Sequence, residues 1–251
     1  MKSEAYYPRI LNAGDSCLVV EFGNDISTEI NGRVLALKEA IERSPFGGYR
    51  ETVPTYRSLA ICFDAAQTDT ESISRYLSKL IHDLQTKRGD VVKKRTILVP
   101  VLYGEEWGCD LEFVSAHTGL SIEEVIRRHT EREYYCYMLG FTPGFAYLGG
   151  MDETLATPRL KEPRQSVPAG AVGIAGSQTG FYSISSPGGW QIIGRTPVVM
   201  FDPQRDPPVF LDAGMWVRFH AVGPEEFSDI EASSAKGIYR PTIIEEETAV
   251  Q

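Results

Sequence analysis

Between Gly140 and Pro197 the chain carries eleven glycines and six prolines in 58 positions. Ordered glycine loses more backbone freedom than any other residue, and proline removes a donor, so no helix persists through that density of breakers. The stretch has to be short strands joined by shaped turns. Val167, Val172, Ile174, Ile184, Ile192, Ile193, Val198 and Val199 are its strand material. A closed or nearly closed β-barrel buries them without leaving sheet edges unpaired. The runs VVMFD, VFLDAG and MWVRFHAV extend the same sheet system to about Val222.

The first hundred residues alternate strand and helix signals. Asp15 to Phe22 reads as a strand between Gly14 and Gly23. Ile26, Ile30, Val34, Leu37 and Ile41 then recur at helical spacing until Ser44-Pro45. ETVPTYRSLAICFD reads as two strands around Pro54, the second showing Leu59, Ile61 and Phe63 on one face. Ile73, Tyr76, Leu77, Leu80, Ile81 and Leu84 form one apolar helical stripe, with Thr68 and Glu71 as a capping box. Arg95 to Leu102 is again strand-like. Strand, helix, strand pair, helix, strand is the order of a ferredoxin-like α+β unit. Residues 1–92 are therefore read as a first domain, with the polar QTKRGD turn near its end, and 93–222 as the barrel domain. Two short helices, from Asp110 and from Ser121, meet at Gly119; the second has a Ser121/Glu124 capping box and nearly balanced charge, so the pair reads as packed helices rather than a DNA-reading motif.

The formal net charge is −9, a sign that repels phosphate backbones, so no nucleic-acid partner is expected. Residues 223–251, with seven acids against two bases, read as a mobile acidic tail. The N-terminus shows no apolar signal segment, and the longest uncharged run is too polar for a membrane helix, so a cytoplasmic protein is expected. Cys17, Cys62, Cys109 and Cys136 lie far apart and read as reduced, mostly buried thiols. There is no Gly-Lys dipeptide, no G-x-G-x-x-G and no G-x-S-x-G, which removes the P-loop, dinucleotide and α/β-hydrolase readings. His82, His117, His129 and His220 show no ligand spacing, and no metal is expected.

What remains is Gln165 to Gly194, thirty residues without a charge, bordered by Arg159, Arg164 and Arg195. A neutral wall lined by Phe145, Tyr147, Tyr182 and Trp190, with a few convergent arginines, suits a small anionic molecule. The same glycines serve equally as barrel corners and the same arginines as strand-end caps. The residues alone leave both readings open.

The text GFTPGFAYLGGMDETLATPR, continued by VPAGAVGIAGSQTGFYSISSPGGWQIIGRTP, closely resembles the family that includes the B component of 5-oxoprolinase, the Kip-type inhibitor of a sporulation histidine kinase, and allophanate hydrolase subunit 1. A related module lies in the carboxyltransferase part of urea carboxylase. Looser similarity runs from about Ala13 to Phe219. The resemblance implies an α+β chain, an N-terminal ferredoxin-like α/β domain followed by a C-terminal cyclophilin-like β-barrel. It implies one component of an ATP-dependent enzyme that opens 5-oxoproline to glutamate together with subunits A and C, with ATP used alongside the partner subunit. The family also holds two alternatives, a regulatory inhibitor of a histidine kinase and a subunit of an allophanate hydrolase or urea carboxylase-like enzyme. Prolyl isomerase activity rests on the barrel's name alone. Positions matching the family motifs imply a pocket of Pro143, Phe145, Tyr147, Arg159, Gln178, Trp190 and Arg195. In that pocket Arg195 or Arg159 would clamp a carboxylate or acyl phosphate, while Gln178 and backbone amides polarise the lactam carbonyl. No side chain stands out as a general base, so the partner subunit would complete the site. Family patterns more often have proline where Ala146 stands, which leaves that loop less constrained here.

Overall fold

The computed structural model describes residues 7–86 and 92–248. The chain divides into two compact units, one within Met1–Val92 and one spanning Lys93–Thr248. The first contains β1 (Arg9–Asn12), β2 (Cys17–Glu21), α1 (Thr28–Arg43), β3 (Tyr49–Pro54), β4 (Ser58–Phe63) and α2 (Thr70–Thr86). Its sheet runs β1-β2-β4-β3, antiparallel throughout. Period-two alternation turns Leu18, Val20, Leu59, Ile61 and Phe63 toward Val34, Leu37 and Ile41 of α1 and Ile73, Leu77 and Ile81 of α2.

Two details differ from expectation. The outer sheet position beside β2 belongs to β1, whereas Arg95–Leu102 pairs within the other unit. β1 has only four residues, too few to show alternation in the sequence. α2 is capped by Asp69, whose carboxylate accepts the Ser72 N–H at 2.8 Å, not by Thr68. That bond holds the Asp69 carboxyl below the usual range. From Lys87 on, the QTKRGD turn lies outside the described residues.

The second unit holds β5 (Val92–Tyr103), α3 (Leu111–Thr118), α4 (Ile122–Thr130), β6 (Glu133–Leu139), β7 (Ala146–Gly149), a 3-10 turn (Glu153–Leu155), β8 (Arg164–Val167), β9 (Ala171–Ala175), β10 (Gln178–Phe181), β11 (Ser186–Gly188), β12 (Gln191–Arg195), β13 (Trp216–Ala221), α5 (Pro224–Ala235) and β14 (Ile243–Thr248). The main sheet follows β10-β9-β12-β5-β13-β6-β7, with β14 also on β5. Its two ends, β10 and β7, lie side by side, so the sheet is a nearly closed barrel. The molecule is α+β, with the barrel in the bend-dense half. Ala146 is the first residue of β7, paired with Leu139, and the loop before it is tied by Gly140 N–H to Phe145 C=O at 3.0 Å.

The barrel interior is filled by Ile97, Val99, Val101, Leu148, Val172, Ile174, Phe181, Ile193, Val217 and Phe219, each worth roughly 1.5–3 kcal/mol when fully buried. One polar chain crosses it. The Thr179 hydroxyl donates to the Gly173 carbonyl at 3.0 Å, so its oxygen accepts from His129 Nε2 at 2.7 Å. His129 Nδ1 in turn accepts from the Tyr103 hydroxyl at 2.7 Å. Burial pushes the imidazole down to about 3, so it is neutral.

Three expectations are corrected here. VVMFD and VFLDAG form only an isolated bridge, Phe201 with Val209. Pro203, Pro207 and Pro208 withhold donors, and the Arg205 guanidinium satisfies the Val199, Met200 and Pro208 carbonyls instead. The acidic segment after Val222 is not a tail. α5 starts on Pro224 with Glu225 and Glu226 in its first turn, where carboxylates suit a helix N-terminus; it buries Phe227 and docks through Ser234 Oγ, which accepts the Val199 N–H at 2.8 Å. β14 pairs with β5. Of the thiols only Cys136 is buried; Cys17 and Cys62 are half-buried and Cys109 is exposed.

Candidate functional site

β5 ends at Tyr103, and the chain turns through Gly104 and Glu105, both at positive φ (72° and 49°). The turn is fastened to β12 by Gly104 N–H to Ile193 C=O (3.0 Å) and Asp110 N–H to Ile192 C=O (2.9 Å). This fastening brings Trp107 up beside Arg195. The Arg195 guanidinium carbon lies 4.3 Å from the Trp107 ring centre and 5.6 Å from that of Phe227, a cation–π arrangement. Nε donates to the Ala169 carbonyl at 3.2 Å and Nη1 pairs with Glu231 at 2.8 Å. Phe227 and Glu231 are one helical turn apart on α5, so the segment expected to be a tail supplies two contacts to this arginine. The Arg195 side chain retains 21% of its exposure, and among the described residues Nη2 has no protein partner.

The stem of Arg195 lies against Gly170, at φ 85°. A Cβ there would sit 2.5 Å from the Thr196 carbonyl oxygen and 3.3 Å from Arg195 Cγ, so this corner has to be glycine.

Arg195 lines a cavity of ≈ 140 Å³ with Trp107, Cys109, Arg164, Val167, Pro168, Ala171, Ile192 and Glu106. Both terminal nitrogens of Arg164 are engaged: Nη2 pairs with Asp110 at 2.7 Å and Nη1 donates to the Trp190 carbonyl at 3.1 Å. The second Asp110 oxygen accepts the Ile192 N–H at 2.6 Å. Asp110 is thus the residue before α3 that makes no capping bond, because its carboxylate is drawn into this corner. Burial, and then the Asp110 charge, push the Cys109 thiol up, so it stands as a thiol rather than a nucleophilic thiolate.

Behind the cavity, Phe145, Tyr182 and Trp190 meet edge to face, with ring centres 5.7–6.1 Å apart, and Tyr147 packs on Phe145 at 5.4 Å. This cluster shares Val167, Ala171 and Ile192 with the cavity wall. Tyr182 reaches its place because residue 188 is glycine: a Cβ would fall 2.1 Å from the phenol oxygen.

Of the residues expected from sequence, Arg195 lines the cavity. Phe145, Tyr147 and Trp190 come together one layer behind it. Gln178 is half-buried at the start of β10, and Arg159 and Pro143 are exposed; none of the three lines the cavity. Pro143 contributes its carbonyl, which accepts from Ser183 Oγ at 2.6 Å. Sequence reading missed Trp107, Asp110 as a charge partner, Phe227 and Glu231. Only the Pro224-Glu225-Glu226 helix start carried a signal for the last two.

The bend-dense, nearly closed barrel is shared with a known class of protein. The family model described as carboxyltransferase domain, subdomain C and D, matches residues 8–211, and the chain belongs to this family. Among curated relatives, the B component of the Bacillus subtilis 5-oxoprolinase is 43% identical over 227 residues, covering 87% of this chain and 95% of that protein. Among solved structures, TTHA0988 aligns with a TM-score of 0.73 at 38% identity over 83% of this chain, which spans 40% of that longer one. The K. lactis urea amidolyase shares the fold, with a TM-score of 0.76 at 21% identity over 99% of this chain and 17% of that one. Among the described residues no cluster of His, Cys, Asp and Glu could hold a metal, and no helix is long and apolar enough to cross a membrane.

Proposed function

We propose that the chain is the B component of an ATP-dependent 5-oxoprolinase, working in the cytoplasm with A and C subunits to open 5-oxoproline to glutamate. The observation that carries this reading is Arg195, held by Trp107 and Ala169 at a small cavity, with Nη2 left for a ligand. A guanidinium binds a carboxylate through parallel charge-assisted hydrogen bonds, each worth about 1.5–3 kcal/mol. At ≈ 140 Å³ the cavity is well below the ~300–1,000 Å³ of sites for drug-sized ligands and suits a metabolite of amino-acid size. The family and the 5-oxoprolinase relatives supply the reaction class.

The same cavity does not fit ATP. It is too small for a nucleotide, and no glycine-lysine loop cradles phosphates. In this reading phosphoryl chemistry belongs to the partner subunits, and this chain binds and orients the substrate. Of the three carboxylates at or beside the cavity, Asp110 is held by Arg164 and Ile192, Glu231 is paired with Arg195, and Glu106 is on the exposed turn, so proton transfer is also assigned to the partner.

The test is ATP-dependent glutamate release by the chain reconstituted with A and C homologues. Arg195→Ala is expected to lower kcat/KM at least tenfold with the complex still assembled. Unchanged kinetics in that complex would remove Arg195 from the site, and no release by the wild-type assembly would remove the reaction.

A further inference from the structure

In the first unit, Cys17 of β2 stands directly opposite Cys62 of β4. Phe63 N–H donates to Ser16 C=O and Phe22 N–H to Arg57 C=O across the same strands. Those pairs set the hydrogen-bonded positions, and the alternation makes Cys17 and Cys62 a non-hydrogen-bonded pair, the closer kind, with Cα atoms about 4.5 Å apart. A disulfide accepts Cα separations of about 4.4–6.8 Å. The two sulfurs are already 3.8 Å apart, so side-chain rotation alone closes the remaining gap. Both residues are half-buried, on the sheet face turned away from the helices, with Val19 and Ala60 between the same strands.

We propose that Cys17 and Cys62 are a dithiol modification site that closes to a cross-strand disulfide when a small-molecule disulfide, such as oxidised glutathione, accepts the two electrons. Cys62 S–H donates to Cys17 Sγ, so negative charge on Cys17 develops beside a donor already in place. Burial pushes the Cys62 thiol up, and neighbouring Glu51 adds to the shift. Cys17 is therefore the attacking sulfur. Its thiolate breaks the S–S bond of the oxidant, forming a mixed disulfide and releasing one glutathione thiolate. Cys62, losing its proton to solvent, then attacks Cys17 Sγ, forms the Cys17–Cys62 bond and expels the second glutathione. Two cysteines are oxidised by two electrons, one oxidised glutathione is reduced, and the two released thiolates take up the two protons.

The experiment incubates the folded full-length chain in glutathione buffers of increasing oxidation, traps free thiols with N-ethylmaleimide and counts them by intact mass and peptide mapping. The chain has four free cysteines. The expected result is loss of two alkylatable thiols, one cross-linked peptide joining positions 17 and 62, and full recovery with dithiothreitol. Cys62→Ser is expected to stop at glutathione on Cys17. Four alkylated thiols at glutathione disulfide excess, or glutathione on exposed Cys109 alone, would overturn the site. Equally fast glutathione addition to Cys62 in Cys17→Ser would overturn the order of attack.

Discussion

Arg195 carries its own carboxylate. In the structure Glu231 holds Nη1 at 2.8 Å, in the way a substrate carboxylate would hold a guanidinium. A ligand anion competes with that contact, or shares the arginine with it at the expense of like-charge repulsion. Glu231→Gln is thus expected to tighten binding of small carboxylates several-fold, and of neutral analogues not at all, as read by calorimetric titration of the purified chain with 5-oxoproline. Weaker carboxylate binding in this variant would show instead that Glu231 orients the arginine. His129 makes a second residue-scale prediction. The folded chain protonates it near pH 3, the unfolded chain near 6.5, so between these values the unfolded state binds the extra proton. Stability from this group is complete above about pH 6.5 and falls as pH drops, by about 2 kcal/mol at pH 5. Nitrogen chemical shifts of the folded chain should show a neutral, Nε2-protonated ring down to about pH 4; a midpoint near 6.5 would contradict the buried chain from Tyr103 to Thr179.

At the scale of elements, strands whose side chains alternate were legible from the residues alone: β2, β4, β5 and β13 fall where expected. What escaped were features set by contacts distant in sequence. Nothing in the run around Asp110 says that its carboxylate abandons the helix end for Arg164, or that Trp107 would lie under Arg195. The prolines from 203 to 208 were visible, yet the apolar runs beside them outweighed the missing donors in the reading. Glycines were visible but not their separate reasons. Gly194 packs on β5, where an added Cβ would fall 2.6 Å from the Leu102 carbonyl oxygen, whereas Gly32 is exposed in α1 with nothing within 4 Å. Gly194→Ala is expected to destabilise the chain by about 1–3 kcal/mol and Gly32→Ala to stabilise it by up to about 1 kcal/mol, measured by urea unfolding. Equal effects would mean that strand packing at residue 194 is loose.

For the whole molecule, the largest difference concerns the C-terminal residues, read as solvated because they are acidic. Their charges do face outward, but Phe227 and Ser234 are buried and β14 pairs with β5. Net charge describes a segment's solvent face and says little about whether its other face is buried. A chain ending at Val222 loses Phe227, Glu231 and one partner of β5 together. It is expected to express mainly as insoluble material, with its soluble fraction melting at least several degrees lower and binding carboxylate more weakly than the full chain. An unchanged melting temperature would show that α5 and β14 only decorate the barrel.

The three partners of β5 are β12, β13 and β14, so a strand finished at Tyr103 finds its first neighbour only when Gly194 and Arg195 have been made. At translation rates of about 5–20 residues per second, its apolar flank waits some 5–20 s outside the ribosome with both edges open. Holdases that shield exposed strands during synthesis are therefore expected to raise the soluble yield of this protein.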